Sequence, residues 1–156
     1  MSLETETSLS SLDSIIKNSL SKASTHTKEV YSQNPLTASE VIEMANSQVL
    51  TLAATVRRDD RPHLSPTDFL AVDGVFYLGV DEATARYRNL KQNPAVTIML
   101  ADDRKRQAIL EGNAKFLDMK SGTAERVLEA LKKKYGWVTD ALAEFQPVKV
   151  FTWKAK

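Results

Sequence analysis

The chain has 156 residues, 21 Lys and Arg against 20 Asp and Glu, and a formal net charge of +1. That length suits one domain with a real core, and the near-neutral balance gives no bulk electrostatic case for nucleic acid or an anionic membrane. Cysteine is absent, which excludes disulfides, thiolate metal sites and cysteine nucleophiles and is compatible with a reducing compartment.

Residues 1–35 are rich in Ser and Thr, and the low apolar content at the very start predicts a frayed terminus. Within this extension Leu9, Leu12, Ile15, Ile16 and Leu20 recur at helical spacing. The stripe reads as an amphipathic helix docked on the domain or on a partner, with a mobile tail as the other reading. The domain proper is expected over 36–156. It opens with "PLTASEVIEMA", where Thr37 is a good N-cap, Glu40 completes a capping box, and Leu36 and Val41 hold the positions of a hydrophobic staple. This helix runs to about Asn46.

The middle is β. "VLTLAATVRR" (49–58) and "RPHLSPTDFLAV" (61–72) read as strands, and Asp73-Gly74 is a two-residue hairpin signal leading into "VFYLGV" (75–80). A short polar helix, "EATARYRNL", then runs into "AVTIMLAD" (95–102). The basic run at 103–106 is a hairpin tip before "QAILEGNAKFLD" (107–118), in which Gly112 marks a bulge or a close backbone approach. "SGTAERVLEALKKKYG" (121–136) is an amphipathic helix ending at Gly136, with the lysines at 132–134 on an exposed face. "VKVFTWKAK" closes the chain as a strand. Tight hairpins between neighbours imply an antiparallel sheet or barrel with helical additions. No glycine-rich phosphate loop occurs.

Three stretches could carry chemistry. In the short helix, Arg86, Asn89 and Leu90 share one side, Arg88 points elsewhere, and Thr84 is an N-cap. A helix N-terminus with a Thr hydroxyl and an Arg is either a solvated start or a grip on an anion. In "RPHLSPTDF", Pro62 and Pro66 lack backbone donors, so a strand paired on both sides is not expected. Alternation places His63, Ser65 and Thr67 on one face, as a hydrogen-bonding platform or a solvated edge. In "RQAILEG", Gln107 begins a strand beside the basic tip. His26 and His63 are too isolated to predict a metal site. No apolar run approaches the ~18 residues of a membrane span, no signal peptide is expected, and a cytoplasmic protein is the default. No catalytic constellation stands out.

Taken in order, "TLAATVRRDDRPHLSPTDFL", "DGVFYLGV", "TARYRNLKQNPAVTIML" and "RQAILEG" resemble the pyridoxamine 5′-phosphate oxidase-like, FMN-binding split β-barrel superfamily. The resemblance covers roughly residues 36–153. It implies a mainly β (α+β) fold, a six-stranded antiparallel split β-barrel with flanking helices, in a homodimer with FMN in a cleft at the subunit interface. Thr84 and Arg86 take the roles of flavin phosphate ligands, with Asn89 in support. His63, Ser65 and Thr67 line the ring and ribityl chain, while Thr55, Val56 and Arg57 offer backbone groups to the ring's polar edge. Gln107 reaches the cofactor from the partner subunit, and Trp153 approaches the ring from the last strand. The true oxidase carries a C-terminal substrate-binding extension, and this chain stops at Lys156, so pyridoxamine phosphate oxidation is not expected. The expected activity is FMN-dependent oxidation or reduction of a small molecule. The alternatives are a deazaflavin or haem in the same barrel, for which only His63 or His26 could be an axial ligand, and a non-catalytic flavin-binding dimer.

Overall fold

The structure, a computed structural model, describes residues 3–156; the frayed start expected of the first residues lies partly outside them. Three helices come first, α1 (Leu3–Ser21), α2 (Thr25–Tyr31) and α3 (Ala38–Asn46). They are followed by β1 (Leu50–Val56), β2 (Pro62–Pro66), β3 (Asp68–Val72), β4 (Val75–Val80), α4 (Ala85–Gln92), β5 (Ala95–Asp102), β6 (Arg106–Phe116), α5 (Gly122–Tyr135) and β7 (Ala141–Lys154). The strands form one antiparallel sheet in the order β2-β1-β5-β6-β7-β4-β3. Its two edge strands, β2 and β3, are consecutive in the chain, so the sheet curls until its edges approach each other as a split barrel.

The sheet has seven strands where six were expected. Residues 61–72 do not form one strand, because the chain changes partners at Thr67. Pro66 has no N–H to give a ladder, and the Thr67 N–H donates to the Thr51 carbonyl at 3.1 Å. Before that point β2 pairs only with β1, and after it β3 pairs only with β4. Both stretches are edges, which is where the two prolines of β2 are tolerated.

Inside the barrel, Ala53, Ile98, Leu100, Ala108, Leu110 and Val150 point inward from four adjacent strands. Phe69 stacks on Phe76 with centroids 5.3 Å apart, and Phe145 meets Phe69 edge-on at 5.8 Å. α3 closes one end, burying Val41, Met44 and Ala45 completely. Each of its larger apolar side chains contributes roughly 1.5–3 kcal/mol of burial. The capping box is formed as the sequence predicts: the Thr37 hydroxyl accepts from the Glu40 N–H, and the Glu40 carboxylate accepts from the Thr37 N–H. Leu36 and Val41 are both buried as its staple. At the other end of α3, Lys134 departs from the exposed lysine face expected at 132–134. Its Nζ donates to the Ala45 and Phe69 carbonyls at 2.7 and 2.8 Å. Ala45 O is one of the last helix carbonyls, which have no partner within the helix.

The apolar stripe of α1 docks along β7. Leu12 is buried, Leu9, Ile15 and Ile16 pack on the core, and Asp13 accepts from the Ala38 N–H at 3.2 Å. Ser19 Oγ accepts from the Val150 N–H at 2.9 Å, which covers an edge that β4 leaves open beyond Phe145. α2 then brings Tyr31 onto Phe151, with centroids 5.5 Å apart. On the far side, α5 covers the outer faces of β3, β4 and the start of β7 through Ala124, Val127 and Leu131 against Leu70, Tyr77 and Leu142. Among the described residues no helix lies over the outer faces of β1 and β5, and α2 reaches the outer face of β6 only at Gln107. Across them Leu52, Met99, Ile109 and Phe151 are successive register partners, so an apolar row crosses four strands.

Candidate functional site

The split places α4 over the inner face of β1 and β2. The helix starts where the sequence predicts: Thr84 Oγ1 accepts from the Tyr87 N–H at 3.2 Å and donates to the Asp81 carbonyl at 2.7 Å. Asn89 and Leu90 are its buried residues. The Asn89 Nδ2 donates to the buried Thr55 Oγ1 at 3.0 Å, which fixes the helix to β1. From one turn earlier, Arg86 reaches β2. Its Nη1 donates to Ser65 Oγ at 2.8 Å and to the Pro66 carbonyl at 2.9 Å.

That anchoring sets the electrostatics. A guanidinium has five N–H donors in a planar fork. With Nη1 spent on β2, the Nε–Nη2 edge is left, and Nε is buried with no acceptor among the described residues. Burial pulls the guanidinium below its ordinary pKa, with the charges of Asp68 and Asp81 opposing the shift. Arginine stays protonated regardless, so the site holds a partly desolvated cation whose Nε lacks a partner among the described residues. His63 and Ser65 lie beside it on the inner face of β2, opposite Thr55 and Ala53. The His63 Nδ1 is also buried without a partner among the described residues.

Arg86 lines a cavity of about 360 Å³ at the split, together with Thr51, Thr67, Asp68, Thr84, Tyr135 and Trp137. One wall is aromatic. Trp137 stacks on Tyr135 with centroids 5.5 Å apart, and its Nε1 donates to Asp68 Oδ2 at 2.7 Å. The Tyr135 hydroxyl donates to the Phe69 carbonyl and accepts from the Phe69 N–H. The sequence reading missed this wall. Its only signal is an aromatic pair straddling Gly136, which takes the left-handed conformation with φ 83° and turns the chain out of α5. A second cavity, about 660 Å³, runs along the other side of α4 and gathers Arg57, Arg58 and Arg88 beside Asn89. The Arg57 N–H donates to the Arg61 carbonyl inside the β1–β2 turn, so Arg57 offers this cavity its side chain rather than that N–H. Thr55 is paired to strands on both sides, and Val56 is paired to β2.

Gln107 and Trp153 are not brought to Arg86 within one chain. They are register partners on β6 and β7 and point to the outer face, alternating with the buried Ala108 and Thr152. They line a third cavity of about 320 Å³ with Val30, Tyr31 and Arg104. No group of three or more potential metal ligands exists among the described residues, and no helix there is long and apolar enough to cross a membrane.

A curled antiparallel sheet with its two edges drawn together defines the split-barrel class. Within that class, the chain belongs to the pyridoxamine 5′-phosphate oxidase family, whose model matches residues 37–156. None of the curated proteins matches the sequence. Among solved structures, a conserved hypothetical protein of Mycobacterium tuberculosis is similar with a TM-score of 0.69 and 21% identity, over 80% of this chain and 89% of that one. The haem storage protein of Vibrio cholerae is similar with a TM-score of 0.62 and 20% identity, over 74% and 92%. An F420 reductase follows with a TM-score of 0.56 and 19% identity, over 69% and 93%. At these identities the likeness is one of fold.

Proposed function

We propose that the chain binds FMN and acts as an oxidoreductase on a small molecule, in a cleft that two copies of the chain complete together. The observation that carries this reading is the Nε–Nη2 edge of Arg86: buried in part, aligned by Ser65 and Pro66, and without an acceptor at Nε among the described residues. Such an edge suits one oxyanion bidentately, and a flavin phosphate is one. The residues present fit the rest of the group as well. The free N–H groups at the start of α4, which Thr84 caps, add to the anion site, and the Thr84 hydroxyl would join them by turning its proton from the Asp81 carbonyl. Asn89 holds the helix in place from behind through Thr55. His63, Ser65 and Thr67 offer polar groups for the ribityl chain and ring.

When bound, FMN supplies hydride and electron transfer itself, and the protein positions and tunes it. In this reading Arg86 neutralises the phosphate, Thr84 and Asn89 fix the helix that presents it, and β2 sets the ring's orientation. Gln107 and Trp153 of the partner subunit close the ring side. A second copy is favoured by the apolar row of Leu52, Met99 and Ile109, which continues to Phe151 under Tyr31, because Gln107 and Trp153 stand on the same outer face. A cytoplasmic location goes with this reading. Haem fits less well: its axial ligand would have to be His63, whose Nδ1 is buried on β2, or His26, which is exposed on α2. A deazaflavin is the second reading, favoured by the F420 reductase among the structural neighbours. The visible spectrum of the bound cofactor separates it from FMN.

The test is an FMN titration of the wild-type chain and of Arg86→Ala. The substitution should weaken binding by about 1.5–3 kcal/mol, the scale of a hydrogen bond to a charged group. Equal affinity in the two proteins would overturn the phosphate assignment.

A further inference from the structure

α2 is poorly explained by packing. It has seven residues and buries none of them, yet it is firmly built. Ser24 caps its start by accepting from the Thr27 N–H, and the Ser32 N–H closes its end on the Lys28 carbonyl. It also lies outside the segment that matches the family, residues 37–156. What it does is roof the cavity at Gln107 and Trp153. Tyr31 is propped on Phe151, and Val30, 39% exposed, lines the same space. From the β5–β6 hairpin comes Arg104, which forms no hydrogen bond or ion pair with the described residues. Of the two acids of that hairpin, Asp102 is taken up by Arg106, and Asp103, beside Arg104 in sequence, forms no ion pair with it.

The chemistry of these five residues is specific. Tyr31 and Trp153 are flat apolar faces with polar rims. Gln107 carries a donor and an acceptor on one planar group, and Arg104 is an uncommitted cation with a bidentate edge. No carboxylate lines the cavity. We propose that this cavity is the substrate pocket, that it takes a planar aromatic carboxylate, and that α2 is its roof. The ring lies against Tyr31 and Trp153, and the carboxylate meets Arg104. This inference rests on the proposed function in one respect, that Gln107 and Trp153 face the cofactor cleft of the pair, and it deepens that function by naming the substrate class. The roof belongs to this chain's own N-terminal extension, so part of the specificity comes from outside the barrel and the carboxylate recognition from its β5–β6 hairpin.

The test is calorimetric titration of the full-length chain with 2-naphthoate and with its neutral analogue 2-naphthamide, alongside FMN uptake read from the visible spectrum. Naphthoate should bind saturably and more tightly than the amide. Arg104→Gln, on an exposed hairpin tip, should weaken naphthoate about tenfold and leave naphthamide unchanged. Tyr31→Ala should weaken both, with a circular dichroism spectrum showing that the helices remain. Absence of saturable naphthoate binding, or an affinity indifferent to Arg104, would overturn the proposal. Naphthoate binding that survives in a chain that takes up no FMN would sink the cofactor reading and leave the pocket standing. FMN uptake without naphthoate binding would do the reverse.

Discussion

In the last turn of α5 the Lys134 amine turns inward and donates to two backbone carbonyls, Ala45 O and Phe69 O. Three consecutive lysines near the end of an amphipathic helix look like a solvated face, and two of them are exposed. The third folds back because α3 ends with a carbonyl that needs a donor, and it reaches Phe69 O on β3 as well. Burial brings its amine down from 10.5 to about 8, against the opposing charge of Asp68. The unfolded chain therefore holds this proton more tightly than the folded one. Below about pH 8 both states are protonated and the buried charge costs stability in full; between about 8 and 10.5 the folded amine is neutral and that cost disappears. Wild type should thus gain stability relative to Lys134→Met as pH rises from 7.5 to 10, in paired urea denaturation curves. A difference that stays flat or shrinks would reject the buried-amine assignment. Arg86 teaches the complementary lesson. Its position three residues before Asn89 and four before Leu90 marks a helix facing the sheet, and the anion reading follows from that. What the sequence does not contain is the pairing of Ser65 with Ala53, which puts a hydroxyl where Nη1 can use it and leaves the other edge open.

Elements were legible where a local rule governs them. The Thr37–Glu40 capping box, the Asp73-Gly74 turn with φ of 52° and 78°, and the Gly136 helix end all depend on residues within one turn of each other. The break at Thr67 was not legible, because it depends on Thr51 sixteen positions away accepting its N–H. Gly112 lies between these cases. A glycine within a strand signals close approach, and the structure names the neighbour: the ladder shifts between Glu111 and Gly112, and a Cβ at Gly112 would lie 2.2 Å from the Gln146 carbonyl oxygen. Backbone cannot yield as a flexible side chain can. Gly112→Ala should cost about 1–3 kcal/mol, seen as a lower urea midpoint with an unchanged slope. An unshifted midpoint would mean that the bulge relaxes freely.

At the scale of the whole molecule, the proposed function makes the chain half of a site. Arg86, His63 and Ser65 face the inside of the sheet, Gln107 and Trp153 face the outside, and sheet backbone stands between them. Two copies meeting across the Leu52–Met99–Ile109–Phe151 row would put both sets around shared clefts. The alternating pattern of β5 and β6 hints at that row, since Met99 and Ile109 are apolar on the face away from the core; their alignment across four strands required the registers. Ile109→Lys places a charge in the middle of the row. It should shift the protein toward single chains in sedimentation velocity and weaken flavin retention without unfolding the barrel; an unchanged oligomer would place the contact elsewhere. The most direct measurement is gel filtration of the wild-type chain after incubation with excess FMN, followed at both protein and flavin wavelengths. The account predicts flavin absorbance travelling with protein of twice the chain's mass, and flavin-free protein, or flavin carried by a single chain, would contradict it.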